Sequence, residues 1–278
     1  MTHTETVYLN GQFIPKQEAK ISILDRGFLL ADGVYDCIPV FHGKPLHAQR
    51  HLDRLRRNLE QTQITLSLSD DDILSISQDL ISHDTPQQSL YIQVTRGASD
   101  KREHTYEELT PTVLIMAQTI ERTHFNQPIK AILHPDIRWN RCDIKSINRL
   151  ANVLMSQAAK VRNAEEAIII DNDHVLEGAK SNVFIYDNNS IITPQLSHDL
   201  LGGVTREIVI NLCQEHYSIK EDIITVETLM NAEEVWITSS TRGIAPVVQI
   251  NDQMINHQKI GRCTQTIQTL YQAYIEKL

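Results

Sequence analysis

With 278 residues, 41% of them apolar and 22% charged, the chain can bury a sizeable core, and a prior of ~150 residues per domain predicts two domains. The formal charge of −9 opposes a phosphate backbone, so no nucleic-acid partner is expected. The opening MTHTETVYLNGQFIPKQEAK has no apolar signal core and no run approaches ~18 apolar residues, so no membrane partner and a cytoplasmic location are expected.

In chain order, Thr6-Val7-Tyr8-Leu9 and Gln12-Phe13-Ile14 flank Asn10-Gly11, a strong hairpin signal. A strand is predicted from Val34 to Phe41, turning at His42-Gly43-Lys44. A helix from about Ala48 to Gln61 carries Leu52, Leu55 and Leu59 on one face, and another covers Asp70 to Ile81. Strands return at Leu90 to Thr95 and Pro111 to Ala117. The polar stretch Glu121 to Gln127 reads as a linker. The expected domains are therefore 1–120 and 128–278, with 121–127 between them. Beyond it, the helix Asn148 to Arg162 is predicted to bury Leu150, Val153, Leu154, Ala158 and Val161. Strands are expected at Ala167 to Ile170, Asn182 to Tyr186, Ile191 to Thr193, Ile223 to Val226 and Val235 to Thr238. Helices should start near Thr205 and run from about Ile260 to Glu276.

The cysteines Cys37, Cys142, Cys213 and Cys263 form no closely spaced pair, which argues against zinc or a disulfide framework and fits reduced thiols. His47 and His51 have i, i+4 spacing, but position 48 is Ala rather than the acid a zinc protease needs, so no metal is expected.

Lys145, within Arg141-Cys142-Asp143-Ile144-Lys145-Ser146, and Glu177, within Glu177-Gly178-Ala179-Lys180-Ser181-Asn182, carry the chemical signal. A lysine can hold an aldehyde cofactor as a Schiff base, and a carboxylate can keep that cofactor's pyridine nitrogen protonated. A phosphate monoester calls for N–H groups at a helix start, hydroxyls and an arginine. Leu201-Gly202-Gly203-Val204-Thr205-Arg206 offers the first, Thr238-Ser239-Ser240-Thr241 the second, and Arg54 the third. Each alone has a bland reading: a surface lysine, a common helix start, a polar turn, a solvated basic helix face.

Together these segments, with Tyr8-Leu9-Asn10-Gly11 and Asp25-Arg26-Gly27, resemble the fold-type IV pyridoxal-phosphate enzymes along essentially the whole chain. The resemblance implies an α+β fold with a small α/β N-terminal domain and a larger C-terminal pseudo-barrel domain. It also implies pyridoxal 5'-phosphate as cofactor and a homodimer whose active site is completed across the subunit interface. By it, Lys145 tethers the cofactor and Glu177 pairs with the pyridine nitrogen. Arg54, Val204, Thr205, Thr241 and, more weakly, Ser240 hold the phosphate, and Leu201 packs on the ring.

Tyr35, Arg102 and His104 match the carboxylate-binding set of the D-amino acid transaminases, as does the flank Asp136-Ile137-Arg138-Trp139. A guanidinium suits a carboxylate because two parallel hydrogen bonds fit its planar fork. The chain departs from that group at Ala179 and Lys180, where serines are usual, and in one extra residue between Arg96-Gly97 and Arg102. The implied reaction is transamination of a small D-amino acid such as D-alanine, with 2-oxoglutarate as acceptor. The alternatives are 4-amino-4-deoxychorismate lyase and branched-chain L-amino acid aminotransferase chemistry.

Overall fold

The computed structural model describes residues 5–121 and 125–278, so 122–124 of the expected linker lie outside the described residues. Contacts divide the chain into two units: Met1–Ile120 with Ile144–Asn148, and Glu121–Asp143 with Arg149–Leu278. The five residues around Lys145 thus belong with the first unit, whereas the sequence reading assigned them to the second.

The first unit contains β1 (Thr6–Leu9), β2 (Gln12–Pro15), α1 (Arg26–Leu30), β3 (Gly33–Phe41), β4 (Lys44–Pro45), α2 (Ala48–Gln61), α3 (Asp70–Leu80), β5 (Gln87–Thr95) and β6 (Thr112–Thr119). Its six strands form one antiparallel sheet in the order β2-β1-β6-β5-β3-β4. The first hairpin closes at Asn10 and Gly11, both with positive φ, which a two-residue turn between right-twisted strands requires. Helix α3 starts at Ser69 in a reciprocal capping box with Asp72. Helix α2 buries Leu52, Leu55 and Leu59, as its periodicity predicts, against Val34, Ile38, Leu90, Ile92 and Val94. Ile144 joins this core, and Ile147 N–H donates to Gly33 O at 3.0 Å, so the Lys145 segment is fastened to the start of β3.

The second unit contains β7 (Ile129–Pro135), α4 (Leu150–Val161), β8 (Glu166–Asp171), β9 (His174–Gly178), β10 (Asn182–Asp187), β11 (Ser190–Thr193), α5 (Val204–Cys213), β12 (Ser218–Glu221), α6 (Val226–Asn231), β13 (Glu234–Ser239), β14 (Gly243–Ile250), β15 (Gln253–Met254) and α7 (Arg262–Ile275). Its nine strands run β12-β11-β10-β13-β14-β7-β8-β9, with β15 added on β14. Ile168, Val183, Ile185, Val235, Ile237, Ala245 and Val247 form much of its core.

Two expectations are corrected here. Helix α4 does not bury Leu150, Val153, Leu154 and Val161, which are 68%, 59%, 53% and 72% exposed. Its inner face is Asn152, Met155 and Ala159, with the last two packed against Ile132, Ala167 and Ile169. Met155 and Ala159 fill the side that meets the sheet, and the four other apolar residues are left on the outside. The strand expected at Ile223 to Val226 is instead an extended connector. There the Thr225 hydroxyl accepts from Thr228 N–H at 3.1 Å and starts α6, while the strand itself lies earlier, at Ser218–Glu221.

Candidate active site

In the first unit, the Lys145 carbonyl accepts from Tyr35 N–H at 2.9 Å, and its Nζ stands 4.7 Å from the centre of the Tyr35 ring. Among the described residues this amine has no carboxylate partner; it faces the aromatic ring and its charge also reaches Cys37 and His51. Tyr35 is half-buried, with its ring 5.5 Å from that of Tyr91. The next residue on β3, Asp36, is fully buried and takes Arg54 Nε at 2.9 Å, Arg54 Nη2 at 2.8 Å and His51 Nδ1 at 2.7 Å. Burial pushes the Asp36 carboxyl up, but the Arg54 and His51 charges outweigh this and hold it far below the usual carboxylate range. Arg54 is therefore a buried, oriented guanidinium and not part of a solvated basic face. His51 is a partner of Asp36.

Arg102 and His104 lie on the connection between β5 and β6 with their side chains exposed. They make no hydrogen bond or ion pair with Tyr35 or Lys145 among the described residues. The main chain beside them is fixed by Arg26, whose guanidinium donates to the Glu103, His104 and Thr105 carbonyls.

In the second unit, Glu177 sits on β9 and is buried. Its Oε1 receives Arg138 Nη1, while Oε2 receives Leu201 N–H at 3.1 Å and Asn182 Nδ2 at 3.5 Å. Burial raises its carboxyl to about 7, because the Arg138 charge and the Leu201 N–H offset only part of the desolvation. Such a carboxylate is short of positive charge and suited to a cationic ring nitrogen. Asn182 also donates to Leu201 O at 2.8 Å, which ties the Glu177 strand to the segment leading into α5. A Cβ at Gly203 would lie 2.2 Å from Asn182 Oδ1, so only glycine permits this approach.

Val204 and Thr205 open α5, where backbone N–H groups have no intrahelical acceptor, and both residues are buried. Ser240 and Thr241 form the turn between β13 and β14; Ser240 is half-buried and Thr241 exposed. Near the end of β13, the buried Thr238 hydroxyl has no hydrogen-bond partner among the described residues. An orphaned hydroxyl, free first-turn N–H groups and a glycine-only approach fit a phosphate monoester. Lys180 is exposed, and its charge acts on the buried carboxyl of Glu166, which accepts from Ser181 Oγ at 2.8 Å.

The structure thus joins Lys145 with Tyr35, Arg54 with Asp36, and Glu177 with Leu201. Asp36, Arg138 and Asn182 were not singled out as site residues. Arg138 and Asn182 stand inside quoted segments, but only the folded hydrogen bonds show that both serve Glu177. Asp36 has a weaker signal, a lone acid in an apolar strand.

The chain belongs to the amino-transferase class IV family, whose pattern matches residues 33–250. It is an aminotransferase, acting between amino acids and 2-oxo acids, and pyridoxal 5'-phosphate is the cofactor of this class. It is similar to D-alanine aminotransferase of Staphylococcus aureus strain N315, at 35% identity over 98% of each chain. It is also similar to D-alanine aminotransferase of Bacillus licheniformis, at 36% identity over 96% of this chain and 95% of the relative. Among solved structures, a branched-chain amino acid aminotransferase of Escherichia coli superposes with a TM-score of 0.89 at 21% identity, covering 97% of this chain and 94% of the other. A fold IV-transaminase of Curtobacterium pusillum gives 0.84 at 22% identity over 97% and 98%. The fold is the expected α+β arrangement of fold type IV.

Proposed function

We propose that this aminotransferase moves the amino group of a small D-amino acid, D-alanine foremost, to 2-oxoglutarate, and that it works as a homodimer in the cytoplasm. The observation that carries the substrate is the whole-length similarity to D-alanine aminotransferases. The exposed apolar residues of α4 support the dimer, because a contiguous apolar face needs a cover. The four free cysteines agree with a reducing compartment.

When bound, pyridoxal 5'-phosphate supplies an electron sink for the pair released from the substrate's Cα–H bond. Lys145 Nζ would be its covalent tether and, as a free amine, would take up and return the substrate's Cα proton. With the Tyr35 ring beside it and no carboxylate partner among the described residues, this amine is available to form a bond and shuttle a proton. Glu177, ionised and fixed by Arg138, Asn182 and the Leu201 N–H, keeps a proton on the ring nitrogen. Leu201 would line the cofactor ring. Arg54, the N–H groups of Val204 and Thr205, and the hydroxyls of Thr241 and Ser240 bind the phosphate. Tyr35, Arg102 and His104 bind the substrate carboxylate.

The test is an assay of D- and L-amino acids with 2-oxoglutarate, run beside 4-amino-4-deoxychorismate without acceptor. Pyruvate from D-alanine that forms only when 2-oxoglutarate is present supports the proposal. Fast acceptor-independent pyruvate release from aminodeoxychorismate, with D-alanine inert, would replace it with lyase chemistry. Selective turnover of branched-chain L-amino acids would replace the substrate alone.

A further inference from the structure

The motif Asp25-Arg26-Gly27 has no part in the chemistry above, yet its three residues are tied to the connection that carries Arg102 and His104. Asp25 is buried, caps α1 by accepting from Gly27 N–H at 2.8 Å, and accepts from Thr95 Oγ1 at 3.0 Å. It also forms a β-bridge with Ala98, and Arg26 N–H donates to Gly97 O at 2.9 Å. A Cβ at Gly27 would fall 2.2 Å from Thr95 Cγ2, so glycine is required for α1 to sit against the end of β5. The base of the connection is thus pinned where it leaves the sheet.

The Arg26 side chain then reaches its middle. Though only 3% exposed, it gives Nη1 to Glu103 O at 2.6 Å and Thr105 O at 3.2 Å, and Nη2 to His104 O at 3.2 Å. Asp32 aims this guanidinium by accepting its Nε at 2.8 Å, and accepts Arg96 Nε at 2.8 Å as well. Tyr106 closes the assembly: its ring centre is 3.6 Å from Arg96 Cζ and 5.5 Å from Arg26 Cζ, and its hydroxyl donates to Gln63 Oε1 at 2.7 Å. Three successive carbonyls on one buried, charge-oriented fork make a rigid mount, since five donors in a plane fix direction as well as distance.

We propose that Arg26, with Asp32 and Tyr106, is the positioning device for the substrate-carboxylate residues, holding the main chain of Glu103 to Tyr106 so that Arg102 and His104 project in one fixed geometry. This rests on the assignment of Arg102 and His104 to the substrate carboxylate. Arg26 touches no substrate and acts through the loop it grips.

The experiment compares Arg26→Met, Arg26→Lys, Tyr106→Ala, Arg102→Met and the double variant Arg26→Met/Arg102→Met in the cofactor-loaded enzyme. It reads KM and kcat for D-alanine, cofactor affinity, and the rate of tryptic cleavage after Lys101 and Arg102. Arg26→Met is expected to raise both KM and the rate of nicking by about tenfold, with kcat and cofactor affinity nearly unchanged, as loss of several charge-assisted hydrogen bonds implies. Arg26→Lys should recover only part, because an ammonium cannot span three carbonyls. Tyr106→Ala, at an outer position, should move KM and nicking in the same direction if Arg26→Met fails to fold. The double variant should show no higher KM than Arg102→Met. Wild-type nicking in both Arg26→Met and Tyr106→Ala would overturn the grip itself. Faster nicking with unchanged KM, while Arg102→Met raises KM, would overturn the positioning role and spare the carboxylate assignment. Unchanged KM in Arg102→Met would overturn that assignment and the positioning role with it.

Discussion

At the scale of single residues, burial decides which side chains can act. Glu177 retains its proton up to about pH 7 in the cofactor-free protein, against an ordinary value of 4.5. The unfolded chain releases that proton near pH 4.5, so between these values the folded state holds more protons and stability falls as pH rises. The loss should amount to about 3 kcal/mol from this group, and a pyridinium beside it should remove most of the loss. Thermal melts of cofactor-free and cofactor-loaded protein should therefore diverge from pH 5 to pH 7.5; parallel curves would mean that Glu177 does not face the ring nitrogen. Glu177→Gln should retain the cofactor but slow turnover. Arg54→Ala should do more than weaken phosphate binding. It leaves the buried Asp36 carboxylate with His51 but without its guanidinium, and breaking such a pair costs about 3–5 kcal/mol, so the melting temperature should drop even without cofactor. Wild-type stability with poor cofactor affinity would assign Arg54 to the phosphate alone.

At the scale of elements, periodicity told helices from strands but not always which face lies inside. Helix α2 was legible because its leucines are the only large apolar stripe it has, whereas α4 has two usable faces. Its small Ala159 and flexible Met155 pack on the sheet, and Leu150, Val153, Leu154 and Val161 stay outside. Contacts with Ile132, Ala167 and Ile169 chose between them, and no residue pattern within the helix states those contacts. The Glu177 strand β9 was missed for a related reason: five residues broken by Gly178 give too short an alternation to read. The site motifs were legible because glycines and hydroxyls mark their turns, whereas the partners Asp36 and Asn182 depend on contacts distant in sequence. Two expectations belong here. Gly203→Ala should lower cofactor affinity, since the new methyl collides with Asn182 and overpacking of this kind costs about 1–3 kcal/mol. Leu154→Glu should shift the proposed dimer towards monomer in sedimentation; an unchanged mass would mean that α4 is not a subunit interface.

At the scale of the whole molecule, the fold distributes the chemistry over both units. The tether candidate Lys145, with Tyr35 and Arg54, belongs to the unit that begins the chain, and Glu177, Leu201 and the α5 N-terminus belong to the other. The order of the motifs was enough to carry the family resemblance, because they are spread along essentially the entire chain. The return of residues 144–148 to the first unit was not legible, since that segment is flanked on both sides by the second. The central claim, that Lys145 is the reactive amine, meets its most direct test in borohydride reduction of the cofactor-loaded enzyme followed by peptide mass mapping. A single pyridoxyl group is expected, on Lys145. A pyridoxyl group on Lys180 or any other lysine, with Lys145 unmodified, would contradict it.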